Sequence, residues 1–380
     1  MKSSPVLISN GAEQVVQYHL SNTFSIIAKE DGEVVEIDDK TKLIIVRYKN
    51  GETQAIDMKP RIVKNGAGGF YLQNQYTCNL KLHQKVKKND ILATDSRFFS
   101  DDLFGNRFNL GTFAKVACFA CDSTFEDSSM CTEKLSKEMG SELVMESRVV
   151  LGKNVNVDYI VNVGDQIKVD EDLIRYEQSF EEESLNNFLS SVGDDLKEEI
   201  KSLGKKPVKS HYSGEIADIK IYAGSDTNEM SPSLAKIVKN YYKQTNDRLK
   251  LLDKYDKDSN TVKCGILFDE PTEKIEDKYG KIKGEEVNDG VLICFFIKIK
   301  DYLKQGDKIT FYGPLKTTIG RKIPAGLEPY SEFRPDEEIS TFVAPNSVLQ
   351  RKVPSVMKTM LLNKIIVELK RTVLDIYDNE

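Results

Sequence analysis

Gly306-Asp307-Lys308-Ile309-Thr310-Phe311-Tyr312-Gly313-Pro314-Leu315-Lys316 is the stretch on which the fold of this chain turns. It lies in a segment that runs against the charge of the whole protein. Between positions 298 and 322, Lys298, Lys300, Lys304, Lys308, Lys316, Arg321 and Lys322 meet only Asp301 and Asp307, although the chain carries a formal net charge of -6. A local excess of cations on an acidic chain points to a phosphate-facing surface rather than to general stickiness. Lysine ammonium groups are compact point charges suited to phosphate oxygens. The alternative reading of such a run is a solvated strand and turn. Gly313-Pro314 breaks the segment, so Lys308 and Lys316 are expected in a loop.

Working outward, 380 residues exceed the usual size of one core, and two or three domains are expected. Abundant Val, Ile, Phe and Tyr fit a folded, soluble globular protein. No apolar run approaches the roughly 20 residues that span a bilayer, and no signal-type core follows Met1-Lys2-Ser3-Ser4-Pro5, so a cytoplasmic setting is expected. The six cysteines are scattered, mostly in apolar runs, and read as buried thiols. Cys118 and Cys121 form a CxxC without a second ligand pair, Cys131 stands alone, and His19, His83 and His211 are far apart, so no metal motif is predicted.

Val34-Val35-Glu36-Ile37 and Leu43 to Tyr48 read as strands, with a turn at Lys49-Asn50-Gly51. Gly66-Ala67-Gly68-Gly69 marks a joint. Two phrases, Val86 to Leu92 and Val163 to Ile174, share one grammar: Gly or Asn before Asp supplies a tight turn between aliphatic strands. Ser213 to Ile221, Val262 to Phe268 and Val291 to Ile299 read as further strands. Phe180 to Leu203 has a helical apolar rhythm, Ser233 to Asp256 is a helix opened by Ser231-Pro232-Ser233, and Val353 to Tyr377 is a helix whose apolar stripe serves a core or a subunit interface. Met58-Lys59 superficially suggests the modifiable lysine of a biotinyl or lipoyl carrier, but Pro60 spoils that hairpin and no second Met follows.

Three sites carry residue types suited to phosphoryl chemistry, in which cations neutralise phosphate and carboxylates organise a metal or hold a basic loop. They are Lys308 with Lys316, Arg351 in Ala344-Pro345-Asn346-Ser347-Val348-Leu349-Gln350-Arg351, and the adjacent carboxylates of Phe125-Glu126-Asp127. Taken together, these segments resemble the C-terminal half of the β subunit of multisubunit DNA-dependent RNA polymerases. Gly306-Asp307-Lys308, with Lys316 eight positions on, is similar to that family's Gly-Asp-Lys motif and its second lysine. Arg321-Lys322-Ile323-Pro324 through Glu328-Pro329-Tyr330 resembles its Ser-Lys-Ile to Met-Pro-Tyr stretch, and Pro345 through Arg351 its Asn-Pro-x-Gly-Val-Pro-Ser-Arg motif. Asn74-Gln75-Tyr76-Thr77-Cys78, Asn109-Leu110-Gly111 and Phe125-Glu126-Asp127-Ser128 are similar to further family motifs in the same order. The resemblance covers roughly residues 25 to 360.

The resemblance implies a β-rich mixed α+β fold: a double-psi β-barrel from residues 68–140 plus 262–353, with an inserted flap domain and flanking helices. The flap-like insertion would be 141–261 with its tip at 180–203, and 354–380 a C-terminal helix. Residues 1–67 would be a β-rich segment continuing a split β chain, an arrangement most like that of giant bacteriophages. Lys308 and Lys316 would be catalytic and contact RNA, Arg351 would touch the substrate triphosphate, Glu126 and Asp127 would position substrate, and Gln75 would contact nucleic acid. Mg²⁺ would be held mainly by a β′-like partner, since no Asp-x-Asp-x-Asp triplet occurs here. The implied partners are an N-terminal β-like chain, β′-like chains, an initiation factor at the flap tip, DNA template, RNA and NTPs, without a membrane. The implied location is the bacterial host cytoplasm during infection, or the virion. The competing expectation is a non-catalytic nucleic-acid-binding or virion scaffold protein derived from a polymerase fold. Departures from the pattern are Tyr312-Gly313-Pro314-Leu315 between the lysines, Thr317 for Gly, Ser347, Leu349 and Gln350 for Gly, Pro and Ser, and Leu72 for Arg.

Overall fold

Val291 to Ile299 carries no polar alternation because both of its faces are covered. In a computed structural model this run lies in the strand Gly290–Asp301. Val291, Ile293, Phe295 and Ile297 pack on one side with Leu173, Ile216 and the helix residues Leu234 and Val238. Leu292, Cys294 and Phe296 pack on the other with Val144 and Tyr222. The structure describes residues 3–4, 6–8, 11–20, 24–64, 70–102, 105–109, 111–178, 205–256, 281–282, 285–286, 290–311 and 315–379. Outside them lie the expected Val262 to Phe268 strand, the 180–203 amphipathic segment, the Gly66 to Gly69 joint and Tyr312-Gly313-Pro314.

The protein is β-rich mixed α+β, with a few helices and a curled half-barrel sheet. Its backbone divides into two units, one of residues 1–26, 94–141 and 300–380, the other of 27–93 and 142–299. In the second unit, Gly290–Asp301 pairs antiparallel with Gly214–Ala223 within a six-stranded sheet. The helix Pro232–Asp256 begins where the Ser231 hydroxyl accepts the Leu234 N–H, a capping bond at 3.3 Å. The strands Gly32–Asp38, Leu43–Tyr48 and Thr53–Asp57 form a meander, and Leu43, Ile45 and Ala55 on it pack against Leu252.

One turn chemistry recurs. Asp90 accepts the Lys87 N–H at 2.7 Å, Asp165 the Asn162 N–H at 2.8 Å and Asp307 the Lys304 N–H at 2.8 Å. The residue before each Asp takes a positive φ: 70° at Asn89, 95° at Gly164 and 95° at Gly306. Asn tolerates that region and Gly enters it freely, which is why these two residues precede the Asp.

The first unit contains a five-stranded sheet in the order Val116–Cys118, Thr341–Val343, Ser128–Thr132, Leu315–Ile323, Lys308–Phe311. Two of its pairings are parallel, Val116–Cys118 with Thr341–Val343 and Ser128–Thr132 with Leu315–Ile323. Cys131, Leu135, Ile309 and Ile319 form one buried cluster, and Leu315, Val343 and Val348 another. Burial pushes the Cys131 thiol up to about 11, with the Lys322 ammonium acting against it. Cys294 is also buried, whereas Cys78 and Cys121 are half-buried and Cys118 is exposed. The buried-thiol expectation therefore fails at Cys118, which ends a strand with a neighbour on one side only among the described residues. Among the described residues, no three His, Cys, Asp or Glu side chains are grouped to hold a metal.

Gly320 sets a kink in this sheet. The register between Ser128–Thr132 and Leu315–Ile323 shifts there, with Ser129 opposite Ile319 but Met130 opposite Arg321. Gly320 is the extra residue of a β-bulge. A Cβ at this position would stand 2.3 Å from Ser128 Oγ and 2.8 Å from the Ser123 carbonyl oxygen. Gly320→Ala is expected to cost about 1–3 kcal/mol, as overpacking does. A urea-unfolding midpoint equal to wild type would contradict this.

The helix Pro354–Asn379 buries Val356 and Asn363. It is tied to the strand Arg334–Glu338 by Arg334–Glu368 at 3.0 Å and by an Arg371–Glu337 ion pair. Its stripe of Leu361, Ile365, Leu369 and Val373 is exposed among the described residues. No helix among the described residues is long and apolar enough to cross a membrane.

Candidate functional site

Lys308 and Lys316 sit on paired strands rather than in an irregular loop. Lys308–Phe311 runs antiparallel to Leu315–Ile323, with Lys308 opposite Thr318 and Thr310 opposite Lys316. Residues opposite each other share a face, and side chains alternate along a strand, so Lys308, Thr310, Lys316 and Thr318 project from one face. Lys308 and Lys316 are exposed, while Ile309, Leu315 and Thr317 between them are buried. The lysines are diagonal neighbours, with backbones roughly 7–8 Å apart. The Gly306-Asp307 turn aims this hairpin: Gly306 N–H donates to the Ile319 carbonyl at 2.9 Å, and Ile319 N–H donates to the Asp307 carbonyl at 2.8 Å.

Ion pairing sorts the basic segment into two groups. Lys298 is held by Glu215 at 2.9 Å, Lys304 by Asp301 at 2.6 Å and Lys322 by Glu133 at 2.9 Å. The bond from Lys322 holds the Glu133 carboxyl below its ordinary range. Lys300, Lys308, Lys316 and Arg321 make no ion pair among the described residues. Their charges are available to an anion from outside.

The carboxylate loop joins this hairpin. Thr318 N–H, two residues from Lys316, donates to the Asp127 carbonyl at 2.9 Å. On its other side the loop meets the short helix Pro345–Gln350, because the Ser347 hydroxyl donates to the Glu126 carbonyl. Glu126 has φ of 52°, left-handed backbone that a non-glycine residue rarely adopts unless its surroundings hold it. The Asp127 carboxylate then takes Arg351 Nη2 at 2.7 Å. Arg351 is positioned by its helix, whose Val348 packs with Leu315, the residue before Lys316.

Lys308, Lys316, Glu126, Asp127 and Arg351 are thereby linked through one hairpin, one loop and one helix turn. Gln75 is exposed between Tyr71–Asn74 and Tyr76–Thr77 in the second unit. Two further side chains have tertiary partners here: Ser347 supplies the bond to Glu126, and Thr317 Oγ1 lies 2.7 Å from Ser129 Oγ on the buried face. Neither role is legible in the sequence, because both depend on tertiary neighbours more than 180 positions away. Phe125, beside Glu126, is 72% exposed and adds an open aromatic face next to the loop.

No protein-family model matches this chain, and no curated protein matches it.

Proposed function

We propose that this chain is a C-terminal β-subunit fragment of a multisubunit DNA-directed RNA polymerase, inert alone and active in template-directed RNA synthesis within its complex. The observation that carries the reading is the meeting of Lys308/Lys316, Glu126/Asp127 and Arg351, which are remote in sequence. In this reading the five-stranded sheet is part of a double-psi β-barrel, and 141–261 is a flap whose tip at 180–203 docks an initiation factor. Partners are an N-terminal β-like chain and β′-like chains, with DNA, RNA and NTPs as ligands. The setting is the host cytoplasm during infection, or the virion.

The chemistry assigned to this chain is electrostatic. Lys308 and Lys316, carried on paired strands, neutralise phosphate at the RNA 3′ end or on the incoming nucleotide. Arg351 receives the triphosphate as a planar, multidentate donor. Of the two carboxylates in the loop, Asp127 faces Arg351. In this reading the metal is held mainly by the β′-like partner, where it would supply charge neutralisation at the reacting phosphate. Asp127 holds Arg351 until phosphate arrives.

That pair is exchangeable, since its side chains are 37% and 61% exposed, and exposed pairs contribute about 0–1 kcal/mol. Arg351→Ala should raise the KM for NTP about tenfold or more with a smaller effect on kcat, because charged hydrogen bonds are worth about 1.5–3 kcal/mol. Asp127→Asn should shift KM by about fivefold or less. Steady-state rates over an NTP titration measure both. The reading as a whole is tested by co-purification from cells expressing this chain with its neighbours. Recovery of a β′-like chain bearing the aspartate triplet and a separate N-terminal β chain, with RNA synthesis by the complex, is expected. A lone monomer with no such partners would overturn it.

A further inference from the structure

Lys316 and Arg321 are five residues apart, and in a regular strand that odd spacing would send them to opposite faces. The bulge at Gly320 reverses this. Met130 stands opposite Arg321, and Ser128 stands opposite Thr318, so both pairs belong to the face that carries Lys316 and Lys308. Arg321 is exposed, makes no ion pair among the described residues, and stands beside Lys322, which is taken by Glu133.

Three of the cations without an ion pair, Lys316, Lys308 and Arg321, therefore form a stepped row. Lys316 is first, Lys308 lies one paired step further on the adjacent strand, and Arg321 lies a further step along the strand of Lys316. Two residues of strand advance about 7 Å, so the steps are of that order. That interval is comparable to the phosphate repeat of a polynucleotide chain. A lone triphosphate is too short to span the row.

We propose that Arg321 is a third phosphate-binding residue of this face, engaging a polynucleotide phosphate beyond those met by Lys308 and Lys316. The proposal rests on the nucleic-acid reading of the hairpin. It adds an interaction made possible by the inserted glycine, which turns an arginine onto the lysine face. Arg321 binds substrate strand and takes no part in bond making.

The test uses the full chain and a short fluorescent single-stranded RNA, with single-stranded DNA of the same sequence as a second arm. Affinity is measured against salt concentration. Removing one cation that meets a phosphate should lower the slope of log affinity on log salt by about 0.7. Arg321→Ala is expected to lower the slope by about that amount and weaken binding several-fold, Arg321→Lys to restore most of it, and Lys304→Ala, whose ammonium is already paired, to change nothing. An unchanged thermal midpoint excludes unfolding as the cause. If Lys308→Ala and Lys316→Ala weaken binding but Arg321→Ala and Arg321→Glu do not, the inference falls and the nucleic-acid reading stands. If no substitution among the three cations alters binding, or wild type binds neither strand at low salt, both fall. Equal weakening in the two arms assigns the interaction to phosphate. Weakening confined to one arm overturns the phosphate assignment.

Discussion

Replacing Lys308 or Lys316 with alanine is expected to slow nucleotide addition by the reconstituted complex by roughly two to three orders of magnitude, the usual cost of removing one preorganised charge from a transition state. Assembly should survive, because both side chains are exposed and the hairpin is held by Ile309, Leu315 and backbone pairing. The double substitution should cost less than the product of the singles, since diagonal neighbours on one face act on the same phosphates and couple. Single-turnover extension of a primed template separates the chemical step from binding. Full-rate synthesis by the double variant would overturn the catalytic role and favour a scaffold derived from a polymerase fold. Retained DNA binding at wild-type salt dependence would remove the phosphate role as well.

Phe295→Ala should destabilise the second unit by about 3–5 kcal/mol. Phe295 is fully buried in the sheet centre, and its neighbours Leu173, Ile216, Leu234 and Val238 come from three other elements and cannot collapse together into the space. Leu369→Ala is the contrasting case. That side chain is 61% exposed on the C-terminal helix, so the isolated chain should lose no more than about 0.5 kcal/mol. Chemical denaturation of both variants, followed by helix and aromatic signals, checks the difference. A small effect at Phe295 would mean that the buried sheet centre is looser than its packing indicates.

Local chemistry is legible where it is self-contained. Leu43 to Tyr48 is a strand over those residues, and Ser231-Pro232-Ser233 opens the long helix. The Gly-Asp and Asn-Asp turns are readable because their bonds span three residues. Gly313-Pro314 is legible as a break, but nothing in it says that strands flank it, so the residues alone place the lysines in a loop. Cys118 misleads for the complementary reason: an apolar flank reports strand propensity, not whether the strand has a second neighbour. The pairing of Asp127 with Arg351 is tertiary, and spacing alone offers no trace of it. The apolar stripe of the last helix is readable as a stripe, while its exposure depends on what packs against it.

The parallel pairing of Ser128–Thr132 with Leu315–Ile323 joins residues 190 positions apart. During synthesis the first of these strands leaves the ribosome long before its partner exists. At about 5–20 residues per second, the wait is on the order of ten to forty seconds. Throughout that interval the edge facing the future Leu315–Ile323 strand is unmatched, and the Glu126-Asp127 loop lacks both of its anchors. A nascent chain released early would present an open strand edge to its neighbours, the geometry that invites aggregation. The site is thus assembled only after the strand Leu315–Ile323 has been made, and Ser128–Thr132 waits unpaired on that edge until then.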